Sequence, residues 1–140
     1  MSRILKPQAG AQTRFLSTAA DICIYGGAAG SGKTYATLLS PLRYKNVKGF
    51  GATIFREHSV QVFSEGGLWD ESLKMYSGIK GAEEKRAIAQ WQFRDDSGAL
   101  VSKISFAHIE RDEEVHKYQG SQICAIYFDE LCHFSEYTFF

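Results

Sequence analysis

An α/β domain on a mostly parallel sheet, flanked by helices and carrying one β-hairpin, is the fold this sequence predicts. Three observations carry that expectation. Short apolar runs alternate with stretches of helical character. One such run, Ile22-Cys23-Ile24-Tyr25, stops at a glycine-rich loop that a helix-forming stretch follows. Two alternating segments flank Asp95-Asp96-Ser97-Gly98, a hairpin signal. The composition agrees: 140 residues fit one domain, and 44% hydrophobic with 23% charged residues is an ordinary globular balance able to build a core.

The elements follow in order. Residues 1–20 are polar, with a break at Lys6-Pro7 ahead of Gln12-Thr13-Arg14-Phe15-Leu16. Ile22 to Tyr25 reads as a buried strand entering a loop at Gly26-Gly27. A helix is expected from Lys33 to about Tyr44, ended or kinked by Pro41 because proline lacks the amide and clashes with the preceding turn. Ala52-Thr53-Ile54-Phe55-Arg56 reads as a second strand, and His58 to Tyr76 as helical pieces broken at Gly66-Gly67. Ala87 to Phe93 and Leu100 to Ile109 are the hairpin strands, and residues 110–118 form a charged helical segment. Ile123 to Phe128, the most apolar stretch, reads as a strand ending at Asp129-Glu130, and a last helix starts after Ser135.

Charge and cysteine usage exclude some classes of function. Lys plus Arg and Asp plus Glu are both 16, so no global electrostatic footprint for nucleic acid exists. The local clusters Arg43, Lys45, Lys48 and Lys80, Lys85, Arg86 read as solvated faces. Cys23, Cys124 and Cys132 are odd in number and irregular in spacing, which argues against a disulfide framework and fits a reducing compartment. Cys23 and Cys124 lie in apolar runs and are expected in the core, whereas Cys132-His133 has no second pair at zinc spacing. No apolar run reaches membrane-spanning length, and the N-terminus lacks a signal-peptide core, so no membrane partner is expected.

The chemistry sits at two places. Gly27-Ala28-Ala29-Gly30-Ser31-Gly32-Lys33-Thr34 matches G-x-x-x-x-G-K-[ST], the phosphate-binding loop (Walker A). Its glycines permit torsions that let successive amides converge on phosphate oxygens. Lys33 is expected to reach the β- and γ-phosphates and the Thr34 hydroxyl to ligate Mg²⁺, so the loop predicts binding of ATP or a close relative as its magnesium complex. The second place is Ile123-Cys124-Ala125-Ile126-Tyr127-Phe128-Asp129-Glu130, which has the form of a Walker B strand. Asp129 is expected to hold Mg²⁺ through water, and Glu130 to polarise the attacking water as a general base. A small-molecule kinase has no use for that second acid, so the pair favours hydrolysis.

An ordered series joins these motifs: Gln12 to Leu16, Gly26 to Thr34, Ile54-Phe55-Arg56, Gly66-Gly67-Leu68-Trp69, Trp91-Gln92-Phe93, Lys117-Tyr118-Gln119-Gly120-Ser121 and Phe128-Asp129-Glu130-Leu131. With it the chain resembles the ATPase domain of the large terminase subunit of tailed bacteriophages, the motor that pumps DNA into an empty capsid. The Gly-Gly-Leu-Trp and Tyr-Gln-Gly segments narrow the likeness to terminases. The resemblance implies a P-loop NTPase fold of RecA-like (ASCE) type, with ATP and Mg²⁺ as ligands. It implies double-stranded DNA, the portal protein and the small terminase subunit as partners, a homo-oligomeric ring, and a place in the cytoplasm of the infected host, docked on the procapsid. It also implies roles for two further residues. Gln12, which unaided reads as a surface residue, looks like the glutamine that reads the adenine edge. Arg56 looks like a γ-phosphate or coupling residue, with a surface salt bridge as the plain alternative.

This chain departs from the family at two positions. Ala28 or Ala29 stands where many terminases carry a loop arginine, and Gln119 stands where some carry an arginine finger. Arg56, Arg111 and Arg14 remain as finger candidates. Residues 1–140 are expected to be an N-terminal ATPase domain, incomplete at its C-terminus and without the nuclease domain. The resemblance places another strand, from beyond Phe140, between Ile22–Tyr25 and Ile123–Phe128. Without it the sheet is expected to be marginal, rearranged or aggregation-prone, and the piece alone to hydrolyse ATP slowly if at all, without stimulation by DNA. The competing readings are another DNA motor of helicase or recombinase type, a nucleotide-binding assembly module with little turnover, and a small-molecule phosphotransferase.

Overall fold

The strand β1, Gly51–Arg56, is the one around which the sheet is laid in the computed structural model, which describes residues 4–28 and 32–139. Its interior residues Ala52, Thr53, Ile54 and Phe55 are all buried, so both faces are covered. That explains a near-continuous apolar run in place of strict alternation. On one side β1 pairs in parallel with β4, Leu100–His108; on the other it pairs in parallel with β5, Ala125–Phe128. The sheet then continues outward from β4 to β3, Gln90–Arg94, and β2, Ala82–Lys85, giving the order β2-β3-β4-β1-β5.

The β3–β4 and β2–β3 pairings are antiparallel, so the sheet is mixed, which corrects the expectation of a mostly parallel one. The cause is local: strands joined by a tight turn can only pair antiparallel. Asp95 makes the expected turn. Its Oδ1 accepts from the amides of Ser97 and Ala99 at 2.9 and 3.0 Å and from Ser97 Oγ at 2.6 Å. The strand β2 was invisible to periodicity because Ala-Glu-Glu-Lys carries no β-former; it pairs through Glu83↔Gln92 and Glu84↔Trp91, and Arg94 donates to Glu83 at 2.8 Å.

Beyond the first helix, which falls in the stretch read only as polar, the helices follow the sequence closely. Helix α1 spans Ala11–Ser17 and α2 spans Lys33–Leu39, with Ser40–Tyr44 continuing as a 3₁₀ turn from Pro41, as that proline demands. Helices α3, Ser59–Phe63, and α4, Leu68–Tyr76, break at Gly66-Gly67. A side chain at Gly67 would place Cβ 2.6 Å from Gln61 O and 2.9 Å from Val62 O and Ser64 O, so the α3–α4 corner closes only over glycine. The charged 110–118 stretch forms a 3₁₀ helix over Asp112–Tyr118, and α5 spans Glu136–Phe139.

The core is aromatic. Trp69 stacks on Trp91 at 5.9 Å, Phe106 meets Trp69 edge-on, and Tyr76 stands edge-on to Trp91 and Phe93. Polar atoms inside it are mostly partnered. Ser72 Oγ accepts from Trp91 Nε1 at 2.9 Å and donates to Trp69 O, and Tyr76 donates to Leu38 O at 2.5 Å, tying α4 to α2. Burial raises the Tyr76 phenol well above its ordinary value, so it stays a donor. Among described residues Trp69 Nε1 is the buried side-chain atom left without a partner.

Two expectations fail outside this core. Ile22–Tyr25 is not a strand, and Ile22 and Ile24 are 63% and 71% exposed. Apolar composition permits a strand, but ladder bonds make one, and no described strand pairs with this run. Cys23 and Cys124 are exposed for the same reason, not buried in the core. The strand β5 has β1 as its one described neighbour, with Ile126 54% exposed.

Candidate functional site

Parallel pairing brings the carboxyl ends of β1 and β5 to one edge of the sheet. Phe55 sits opposite Phe128, and the ladder runs one step further where Asp129 N donates to Phe55 O at 2.9 Å. Arg56 and Asp129, the residues that follow, are therefore neighbours by register. Arg56 Nε donates to Asp129 Oδ2 at 2.7 Å, and Nη2 lies 2.6 Å from the same oxygen. Asp129 is only 5% exposed and the Arg56 side chain 16%, so this is a sheltered ion pair and not the surface salt bridge of the plain alternative.

The start of α2 supplies the third member. Thr34 Oγ1 donates to Asp129 Oδ2 at 3.3 Å across 95 residues of sequence, and Arg56 Nη2 approaches Thr34 Oγ1 at 3.5 Å. Lys33, beside it, donates to Gly27 O and, at 2.9 Å, to Ala28 O, folding its ammonium back over its own loop. Ala29, Gly30 and Ser31 lie outside the described residues.

Gln12 is buried, 2% exposed, where unaided sequence reasoning put it on the surface. Its Oε1 accepts from Gln8 N at 2.7 Å and its Nε2 donates to Gly32 O at 2.9 Å, clasping α1 to the end of the loop. Gly32 has a φ of +79°, and a Cβ there would fall 2.3 Å from Gln12 Nε2. Both constraints require glycine. Thr13 Oγ1 donates to Gln8 O at 2.8 Å, which fixes the turn holding Gln12.

Glu130 follows Asp129 in the left-handed region, φ 59°, which turns it out of the strand and leaves it exposed. It starts a 3₁₀ turn, Leu131–His133, closed by His133 N on Glu130 O at 2.9 Å. The turn gathers donor atoms of Glu130, Cys132 and His133 within 4.8 Å of one another, all exposed, a grouping the spacing rule for paired zinc ligands could not anticipate. His133 Nδ1 also lies 3.7 Å from Glu57 Oε2.

The remaining motif segments serve packing. Leu68 and Trp69 of Gly-Gly-Leu-Trp and Trp91 and Phe93 of Trp-Gln-Phe are core residues. Tyr118 stands edge-on to Phe55 at 5.0 Å, and Gly120, φ +78°, turns the chain toward β5. Beneath the acidic turn, Asp112 Oδ1 accepts from Ser135 Oγ and Thr138 Oγ1 at 2.5 and 2.9 Å, anchoring α5 to the 112–118 helix. Of the three finger candidates, Arg14 and Arg111 are exposed and Arg56 is the one drawn into the site. The lysine-rich clusters are solvated as expected, with Lys80 paired to Asp96 and Lys85 to Glu83. Arg43 differs: its guanidinium donates to Leu16 O and Ser40 Oγ. No helix among the described residues is long and apolar enough to cross a membrane.

Compared with known proteins, residues 24–140 match the family model described as terminase large subunit, T4likevirus-type, N-terminal. No curated protein and no solved structure matches significantly.

Proposed function

The chain belongs to the T4likevirus-type terminase large-subunit N-terminal family, and on that premise we propose that it is a P-loop ATPase motor domain of RecA-like type that drives double-stranded DNA into a procapsid. The family gives the coarser role, packaging of phage DNA. The observation that supports the motor reading is the meeting of Thr34 and Asp129 at 3.3 Å, from a phosphate-loop motif and an acid pair 95 residues apart. Nothing local would bring them together, and a nucleotide-metal site needs them together.

The donor set fits the metal. A hydroxyl and a sheltered carboxylate are hard oxygen ligands of the kind Mg²⁺ takes, with its remaining positions left to water and phosphate. Thr34 and Asp129 would hold Mg²⁺, which supplies positive charge against the β- and γ-phosphate oxygens. Lys33 leaves its loop carbonyls for the phosphates, a charge-assisted exchange. Gln12 still has one N–H and one lone pair beyond its bonds to Gly32 and Gln8, enough to engage an adenine edge while it clasps the loop. Glu130, turned outward by its left-handed backbone, accepts the proton of a water attacking the γ-phosphorus as the bond to the bridging oxygen of ADP breaks. The ring, the portal and small-subunit contacts and the trans arginine belong to the same proposal, with the host cytoplasm as its setting.

The test separates the two acids. Glu130→Gln is expected to bind Mg·ATP as the unmutated protein does and to lose hydrolysis by about 10²–10⁴-fold, the range for a general base. Asp129→Asn is expected to weaken binding only when Mg²⁺ is present. Calorimetry with and without Mg²⁺, paired with phosphate release in the presence of double-stranded DNA, reads both. Normal hydrolysis by both variants would remove the acid pair from the site.

A further inference from the structure

The contacts of Arg56 fall on the residues that would hold the metal. Its Nε and Nη2 converge on Asp129 Oδ2 at 2.7 and 2.6 Å, and Nη2 approaches Thr34 Oγ1 at 3.5 Å. Thr34 Oγ1 itself donates to that same oxygen. A cationic group thus contacts both side chains assigned to the divalent cation.

The reason lies in the burial of Asp129. A carboxylate 5% exposed is tolerated only with a partner, and Arg56 provides one. Guanidinium and divalent cation cannot share Oδ2, because like charges at ligand distance repel strongly in a sheltered site. A purely structural pair would need no contact with the loop, yet Arg56 reaches Thr34 as well as Asp129. Arg56 also keeps a way out: its side chain is 16% exposed and sits at the end of β1, not in its middle.

We propose that Arg56 is an internal stand-in for the metal: without nucleotide its guanidinium holds Asp129 and Thr34, and the divalent cation arriving with the nucleotide displaces it. The inference rests on the function proposed above and adds a switch to it. Before loading, Lys33 and Arg56 balance Asp129 and Glu130 in formal charge. Loading brings a cation together with a more highly charged phosphate chain, so the released guanidinium gains an anion as it loses one. The end of β1 is then the first element to register nucleotide. Its continuation is placed to pass the change on, since Glu57 lies 3.7 Å from His133 Nδ1 and His58 lies 3.4 Å from Glu110.

The experiment uses Mn²⁺ with ADP, which has no γ-phosphate for Arg56 to reach. Loss of the free Mn²⁺ paramagnetic resonance signal then reports metal binding by the full chain. An internal competitor that occupies the site about nine-tenths of the time weakens apparent affinity about tenfold, so Arg56→Gln is expected to bind Mn·ADP about tenfold more tightly. Arg56→Lys is expected to stay near the unmutated value, and Asp129→Asn to lose metal-dependent binding. In the unmutated protein the Arg56 Nε–H resonance is expected to shift and lose protection when Mg·ADP is added. Unchanged or weaker binding by Arg56→Gln, with Asp129→Asn impaired, overturns the stand-in and leaves the metal assignment intact. An Asp129→Asn variant that binds Mn·ADP normally overturns both. Should Arg56→Gln fail to fold, an Nε–H resonance unmoved by Mg·ADP overturns the proposal by itself.

Discussion

The aromatic interior under α4 contrasts with the run after α1 and the outer strand β5: all are rich in apolar residues, yet they end in opposite states. Trp69, Tyr76 and Trp91 are 0%, 0% and 2% exposed, whereas Ile22, Ile24 and Ile126 are 63%, 71% and 54% exposed. The interior closes because α4 and the hairpin strands lie close in sequence and offer complementary faces to each other. The Ile22–Tyr25 run and the outer side of β5 have comparable apolar residues, but no described strand pairs with either. An apolar run therefore permits a strand, and the fold decides whether a partner is present. The motif residues Thr34, Arg56 and Asp129 meet at the carboxyl ends of β1 and β5, where charge and hydrogen bonds, not aromatic packing, hold the side chains.

The sharpest way to break the comparison is to cut the interior. Trp91→Ala removes the ring stacked on Trp69 and the donor to Ser72, and is expected to cost about 3–5 kcal/mol of stability in denaturant titration. A loss below about 1 kcal/mol would mean that the interior does not govern folding. Next comes Gly67→Ala, whose Cβ would press on three carbonyls at the α3–α4 corner, with an expected loss of about 1–3 kcal/mol by the same titration. An unchanged midpoint would show that the corner yields freely.

The edge is expected to answer differently. Gly32→Ala forces a left-handed non-glycine residue, at about 1–2 kcal/mol, and pushes on Gln12; a fluorescent ATP analogue should dissociate more readily. Retained affinity would detach Gln12 from the nucleotide site. Lys33→Ala should have the smallest effect on folding, within about 0.5 kcal/mol. It is expected nevertheless to weaken Mg·ATP binding by about 1.5–3 kcal/mol in calorimetry, the worth of a hydrogen bond to a charged group. A Lys33→Ala variant that loses stability but keeps affinity would reverse the contrast between the two regions.

Much was legible where the cause is local. Pro41 ends α2, Gly66-Gly67 separates α3 from α4, and Asp95 to Gly98 turns the hairpin, each by torsions or hydrogen bonds within a few residues. The glycine loop and the acid pair were legible as motifs, since residue types in a fixed order can be read without a fold. The β2 strand escaped because Ala-Glu-Glu-Lys gains its strand state from Gln92 and Trp91 alone. The Ile22–Tyr25 strand was over-read because periodicity registers hydrophobicity and not the neighbour that must supply hydrogen bonds.

By itself the sequence determined the kinds of element and the chemical inventory: a glycine loop ending in Lys33-Thr34, an acid pair at Asp129-Glu130, and aromatic stripes for a core. Only the tertiary structure decided which of these meet. Parallel register at β1 and β5 set Arg56 beside Asp129, and the docking of α1 buried Gln12 against Gly32. Such contacts join residues far apart in the chain, and their energies depend on burial and on which charge stands opposite which. Neither quantity exists until the sheet has chosen its order, so the pairing of Arg56 with Asp129 and Thr34 could be read only from the fold.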